Sequence, residues 1–304
     1  MIIAAIDIGS NALRLLIQDI HTLRGEVTSE KISLTRVPVR LGEDVFLKGR
    51  ISREKMLQLA NAMKAFWCLM DVHKVEYFRA CATSAMREAK NQKEIIQTIH
   101  EKSHIHIDIL SGDEEAELIF RNYEKNRISE KDHLVYIDVG GGSTEVSFIS
   151  PDGESVRKSF NLGTVRSLHL GQDRKEWQRA EKWLISHKPK GVKLTGIGTG
   201  GNINTVFKLL GKKPHDKISV SEIRVLNSQL EKLEYRERMT RYKLKPDRAD
   251  VIVPACQIYY RLMKTAGIRE MKVPKIGLPD GIIRHIYDTV KVAKSDEQKS
   301  EKPN

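Results

Sequence analysis

The sequence predicts an α/β protein whose two halves fold alike and face each other. The first observation is a recurrence: Ile6-Asp7-Ile8-Gly9 matches Ile137-Asp138-Val139-Gly140 about 130 residues on, and both run through small polar residues into a renewed strand. The second is length, since 304 residues accommodate two ordinary cores. The third is a boundary, because residues 125–133 are hydrophilic apart from Ile128. The expected halves are residues 1–125 and 126–281. A helix over residues 282–293 is expected to rejoin the first half, and the charged, Lys-rich residues 294–304 read as a disordered tail.

In chain order, Ile2 to Asp19 read as strand, tight turn at Gly9-Ser10-Asn11, and strand, with Leu13, Leu15 and Ile17 alternating. A third strand is expected near Glu30 to Val39, then a Gly-containing loop from Gly42 to Arg50. Ser52 caps a helix carrying Met56, Leu59, Ala60, Met63, Phe66 and Trp67 at helical spacing. A strand near Val75 to Ala82 runs into Thr83-Ser84, which opens a helix with Arg87 one turn inside. A helix near Gln92 to Lys102 and a strand from Ile105 to Leu110 follow. Ser111-Gly112-Asp113-Glu114 has the spacing of a capping box.

The second half opens on Leu134 to Ile149, LVYIDVGGGSTEVSFI, read as strand, glycine turn and strand. Next come a strand from Ser155 to Leu162, a turn at Gly163-Thr164, a helix from Glu176 to Ile185 and a strand from Val192 to Ile197. Gly198-Thr199-Gly200-Gly201-Asn202 opens an apolar helix through Leu210, and Ser219 to Glu222 forms a second capping box. Arg236 to Asp247 reads as a polar, basic connection. A helix from Asp250 to Met263, a strand from Lys275 to Leu278 and a last helix from Ile282 complete the chain.

A formal net charge of +12 points to a polyanionic partner: nucleic acid, anionic lipid or a phosphorylated metabolite. Aromatics are 6% and no basic stripe is interleaved with them, which ranks nucleic acid below a phosphate ligand. No apolar run approaches the roughly 20 residues that span a bilayer. The N-terminus lacks a basic leader and reads as a first strand, so a cytoplasmic chain off the membrane is expected. Cys68, Cys81 and Cys256 are scattered without zinc or disulfide spacing, as buried free thiols in a reducing compartment would be.

The run at Asp138 to Glu145 places an acid, bare backbone N–H groups at Gly141 and Gly142, the hydroxyls of Ser143 and Thr144, and a second acid around one point. That collection suits a phosphate and a hard cation such as Mg²⁺. Asp7 holds the equivalent place in the first half. A strand, glycines and a helix start at Gly200-Gly201-Asn202 make an anion-binding arrangement. A plain hairpin and a packing turn are the alternative readings of these two glycine runs. On the helix after Ser111, Ala116, Ile119, Phe120 and Tyr123 form an apolar stripe. Glu114 falls opposite it, and Glu117 points outward, four residues before Arg121. Glu115 falls on the border, where a carboxylate lines a cleft. Alternatively all three acids serve only the helix dipole.

Read together, AIDIGSNALRLLI (Ala5 to Ile17), ATSAMREAKN (Ala82 to Asn91), ILSGDEEAELIF (Ile109 to Phe120), VYIDVGGGSTEV (Val135 to Val146), LGTVR (Leu162 to Arg166), GTGGN (Gly198 to Asn202) and PDGI (Pro279 to Ile282) resemble, in order, the exopolyphosphatase / guanosine pentaphosphate phosphohydrolase family. The resemblance implies two ribonuclease-H-like (actin-like ATPase) domains, mixed sheets flanked by helices, with the active site in the interdomain cleft. It implies Glu115 and Glu145 as catalytic acids. Asp138, Glu145 and Asp7 would stand at a Mg²⁺ site that Mn²⁺ could also fill. Phosphate-binding turns are implied at Ser10-Asn11, Thr83-Ser84, Gly141 to Thr144 and Gly200 to Asn202, with Arg87 near phosphate. It further implies a homodimer. The expected activity is release of orthophosphate from the end of inorganic polyphosphate, with water activated by Glu115. Removal of the 5′ γ-phosphate of guanosine pentaphosphate, or a non-catalytic polyphosphate or nucleotide sensor, are the alternatives. GTGGN and LPDG depart from the family's commoner forms. The chain also ends where longer members add helical domains, so processive digestion of long polymers is not expected.

Overall fold

The computed structural model describes residues 1–23, 26–125 and 133–300. The first half contains β1 (Ile2–Ile8), β2 (Leu13–Leu23), β3 (Glu26–Val37), α1 (Leu41–Lys48), α2 (Arg53–Val72), β4 (Tyr77–Ala82), α3 (Ser84–Glu88), α4 (Gln92–Ser103), β5 (Ile107–Ile109) and α5 (Gly112–Lys125). The second contains β6 (His133–Val139), β7 (Thr144–Ile149), β8 (Ser155–Phe160), α6 (Thr164–Leu170), α7 (Arg174–His187), β9 (Leu194–Thr199), α8 (Gly200–Leu209), β10 (Lys217–Ser219), α9 (Val220–Glu231), α10 (Tyr235–Arg241), α11 (Pro246–Ala249), α12 (Ile252–Ala266) and β11 (Glu270–Lys272). Helix α13 (Leu278–Ser300) closes the chain.

The recurrence read from the Asp-Gly turns extends to the whole sheet. The first sheet has the order β3-β2-β1-β4-β5, and the second runs β8-β7-β6-β9-β11 with β10 added at its edge. In each, a three-strand antiparallel meander is extended by strands parallel to its first member. This is the ribonuclease-H-like order, in two mixed sheets flanked by helices. Parallel extension requires helical crossovers, which cover the sheet faces. All of β7 is accordingly buried.

Helix α5 lies between the two sheets. Its Leu118 and Ile119 join Ile3, Ala5 and Leu16 of the first sheet and Ile282, Ile283 and Tyr287 of α13. Its Phe120 joins Leu134, Tyr136, Ile149 and Ile197 of the second. The far face of the first sheet is covered by α2 and α4 through Leu59, Met63, Phe66, Ile95 and Ile99. The far face of the second is covered by α7, α8, α9 and α12, with Trp177, Val206, Leu226 and Tyr259.

Several expected elements differ. The loop over Gly42 to Arg50 is helix α1, because Leu41, Val45 and Phe46 bury one side of it. Left-handed residues punctuate both its ends, Arg40 at φ 58° and Gly49 at φ 70°, so the glycine signal marks a cap. Gly163-Thr164 starts helix α6. The connection from Arg236 holds α10 and α11; α10 buries no side chain and so shows no apolar stripe. Residues 275–277 form no strand; the strand is instead Glu270–Lys272, between β9 and the edge strand β10. Helix α13 starts at Leu278, four residues early, and its backbone is helical to Ser300, through part of the stretch read as tail. Residues 301–304 and most of the boundary segment, 126–132, lie outside the described residues. Among the described residues no helix is long and apolar enough to cross a membrane.

Candidate active site

The two Asp-Gly turns meet at the junction of the halves. A Cβ on Gly142 would lie 2.3 Å from Ser84 Oγ and 2.9 Å from Ser10 Oγ, and one on Gly141 would lie 3.1 Å from Asn11 N. Only glycine permits so close an approach. Ser10 Oγ is 2.8 Å from Ser84 Oγ and accepts the N–H of Ala85 at 3.2 Å, which fixes the first turn against the start of α3. Between the halves opens a cavity of about 470 Å³.

Strand register explains which acids face it. In β6–β7, Asp138 stands opposite Glu145; in β1–β2, Asp7 stands opposite Arg14. The same topological place thus holds an acid in one half and a cation in the other. Asp7, 3% exposed, pairs with Arg14 at 2.6 Å. Asp138 accepts Thr199 Oγ1 at 2.8 Å, and burial pushes its carboxyl above the usual range. Glu145 accepts Ser159 Oγ at 2.9 Å, and burial followed by the charge of Asp138 pushes it up to about 7.

Glu115 enters from the first turn of α5. Ser111 and Glu114 cap that turn reciprocally, at 2.7 and 3.1 Å. Glu114 is thereby held in solvent and Glu117 pairs with Arg121 at 3.5 Å and with Arg157. Glu115 is 8% exposed and turned into the cleft. Its Oε2 is buried without a hydrogen bond among the described residues. Burial, then Glu145, raise it well above the usual carboxylate range, opposed by Arg87 at 3.9 Å.

Asp7, Ser10, Asn11, Thr83, Ser84, Glu115, Asp138, Gly141, Ser143, Gly200, Gly201 and Asn202 all line this one cavity. Four other anticipated residues stand behind the wall. Thr144 donates its hydroxyl to Leu162 O, and Gly142 is packed on Ser84 and Phe46. Glu145 borders a small void with Asp138, Ala116 and Phe120. Arg87 donates to Leu110 O at 2.5 Å.

The cations that line the same cavity escaped sequence reading. Arg14, Arg36 and Arg248 line the cavity, with Lys31, Lys208, Lys243, Lys245 and Lys275 around them. Arg248 donates to Asn202 Oδ1 at 3.3 Å. Burial, then Arg36 and Arg14, push it down to about 9. Mutual repulsion of this kind is relieved by an anion. Arg14 carried the one readable signal, its place opposite Asp7 in the repeated hairpin.

Among the described residues no three His, Cys, Asp or Glu form a ready-made metal cage. The buried acids nevertheless crowd one another: Glu145, Asp7 and Asp138 raise Glu115, Asp138 raises Glu145, and Asp7 raises Asp138. An all-oxygen, over-charged set fits a hard divalent ion held by one or two carboxylates and its own waters.

These features can be set beside known proteins. Over 167 residues the chain is 32% identical to a bifunctional 3-dehydroquinate synthase/phosphatase of Fusobacterium nucleatum, a match covering 54% of this chain and 25% of that much longer protein. It is 29% identical over 314 aligned positions to exopolyphosphatase 2 of Mycobacterium tuberculosis, covering 92% of this chain and 97% of that one. The crystal structure of an exopolyphosphatase from Cytophaga hutchinsonii superposes with a TM-score of 0.81 at 25% identity, covering 95% of this chain and 98% of that one. The Ppx/GppA phosphatase family model matches residues 24–290, and the chain belongs to that family.

Proposed function

We propose that the chain is an exopolyphosphatase, hydrolysing the terminal phosphoanhydride bond of inorganic polyphosphate and releasing orthophosphate. The observation that carries this is that Glu115, buried with an unengaged carboxylate oxygen, lines one cavity with Arg14, Arg36 and Arg248. Relatives of matching length bear the exopolyphosphatase name. Glu115 orients water on the terminal phosphorus and takes its proton; burial and Glu145 raise its proton affinity above that of an ordinary carboxylate. Ser10, Thr83 and Ser84 hydroxyls and the N–H groups of the glycine turns hold the phosphoryl oxygens. Arg14, Arg36 and Arg248 neutralise the phosphates behind them, and such electrostatic support supplies most of the catalysis of phosphoryl transfer. Asp138 and Glu145 would hold Mg²⁺ or Mn²⁺, which when bound neutralises phosphoryl charge. Asp7 orients Arg14.

Cys81 and Cys256 are buried thiols pushed up to about 12 by burial, whereas Cys68, expected to be buried, is exposed; three free thiols suit a reducing cytoplasm. The test is phosphate release by the purified chain with Mg²⁺ from tripolyphosphate, long polyphosphate and guanosine pentaphosphate. A higher kcat/KM on a polyphosphate supports the reading. Preference for the nucleotide, or binding without hydrolysis, contradicts it.

A further inference from the structure

Arg248 stands on α11, a four-residue helix of the second half that crosses the mouth of the cleft. A helix so short does not hold itself in place. Three links from it and the residue after it reach the first half. Asp247 pairs with Arg36, Asn11 Nδ2 donates to Asp247 O at 3.0 Å, and Arg40 Nη2 lies 2.5 Å from Asp250 Oδ2. Arg40 is itself braced. Its backbone is left-handed at φ 58°, a costly conformation for a side-chain-bearing residue, and Lys55 Nζ donates to its carbonyl at 2.6 Å. Its guanidinium is pinned between Asp250 and Glu43.

In its own half the α11 backbone is anchored by Tyr235 OH, which donates to Pro246 O at 3.3 Å, by Arg238 Nη1, which donates to Ala249 O at 3.2 Å, and by burial of Ala249 in the second core, whereas the Arg248 side chain has little to hold it. Its hydrogen bond to Asn202 is 3.3 Å long. Its Nη2 lies 2.6 Å, and Arg14 Nη2 2.9 Å, from where a Cβ on Gly201 would be, so the two guanidinia converge over the start of α8. The like charges of Arg14 and Arg36 push on the Arg248 guanidinium, and Asp247 and Asp250 oppose them. Elsewhere the halves also meet: Val165 is buried in the first core, Arg166 lies over the Phe46 ring at 4.1 Å, and Arg166 pairs with Glu88.

We propose that Arg40–Asp250, backed by Arg36–Asp247, is a cross-cleft latch that positions Arg248 for the phosphates of the substrate. Arg40 and Asp250 are positioning residues and do not touch substrate. The choice of ligand rests on the polyphosphate reading; the latch itself rests on the geometry.

The test is a double-mutant cycle read by calorimetric binding of tripolyphosphate in metal-free buffer. Asp250→Asn keeps the oxygen that accepts Val251 N–H at 2.8 Å while removing the charge that holds Arg40. Asp250→Asn and Arg40→Gln should each weaken tripolyphosphate binding about tenfold, the scale of one charged hydrogen bond. Arg248→Gln should weaken it at least as much, and adding Asp250→Asn to it should change Kd less than about twofold. Amide exchange across residues 243–250 should quicken in Asp250→Asn and slow in the wild type on adding tripolyphosphate. Losses that multiply, or an Asp250→Asn protein that binds as the wild type does, would overturn the latch. If Asp250→Asn fails to fold, Arg40→Gln carries the same cycle. A wild type that binds tripolyphosphate with the predicted coupling but hydrolyses no polyphosphate would sink the functional reading and leave the latch standing.

Discussion

Arg87 Nη1 stands 3.9 Å from Glu115 Oε2 while donating to Leu110 O at 2.5 Å. The guanidinium is therefore a fixed counter-charge that makes no hydrogen bond to the acid. It partly offsets the burial and the Glu145 charge that favour the protonated form of Glu115. Removing it must raise the proton affinity of Glu115 further. Arg87→Gln is expected to move the acid limb of the pH–rate profile toward higher pH, with activity recovering in alkaline buffer. A limb that stays in place or moves toward lower pH contradicts the assignment.

Glu145 has the opposite consequence for stability to that of an ordinary salt-bridged acid. Its affinity for a proton rises from 4.5 to about 7 on folding, so the folded state binds the extra proton. The associated stability is complete below the unfolded value and is lost as pH rises through about 7. The metal-free protein should melt at a lower temperature at about pH 8 than at about pH 5.5. Glu145→Gln should reduce that dependence and raise the alkaline Tm by a few degrees, on the order expected for a small gain in a domain of this size. Mg²⁺ added at alkaline pH should raise the wild-type Tm. Scanning calorimetry at both pH values decides it, and a wild-type Tm that climbs with pH is the contrary result.

Gly200 and Gly153 separate backbone strain from disruption of the site. Both have positive φ, +83° and +94°, but a Cβ on Gly200 would lie 2.5 Å from Asp138 Oδ1 while one on Gly153 meets nothing within 4 Å. Gly153→Ala should cost about 1 kcal/mol in denaturant unfolding and leave turnover unchanged. Gly200→Ala should cost more and displace Asp138, with phosphate release falling by about tenfold or more, the scale on which small misplacements act. Equal effects of the two substitutions on turnover would remove Asp138 from the site.

What could be read in advance was whatever the chain repeats or spaces regularly. The Asp-Gly hairpins at Asp7 and Asp138 were visible because the repeat is local, and it carries the sheet order of both halves with it. Glu115 could be singled out from Glu114 and Glu117 by helical spacing alone, and the structure buries it while leaving Glu114 exposed. Helix α10 left no trace because a helix with no buried side chain has no stripe. The arginine wall was hidden for another reason. Arg36 and Arg248 are 212 positions apart, and in a chain of net charge +12 each looks like a solvated surface cation. Only the docking of α11 across the cleft brings them together, and no local pattern encodes that docking.

The central claim is that Glu115 activates the attacking water while the surrounding turns and cations bind the substrate. Its most direct test is Glu115→Gln, assayed for phosphate release from polyphosphate with Mg²⁺ and for tripolyphosphate binding in the same preparation. Turnover should fall by about 10²–10⁴-fold, the range of a lost general base, with binding retained within a few-fold. Turnover near that of the wild type would contradict the account.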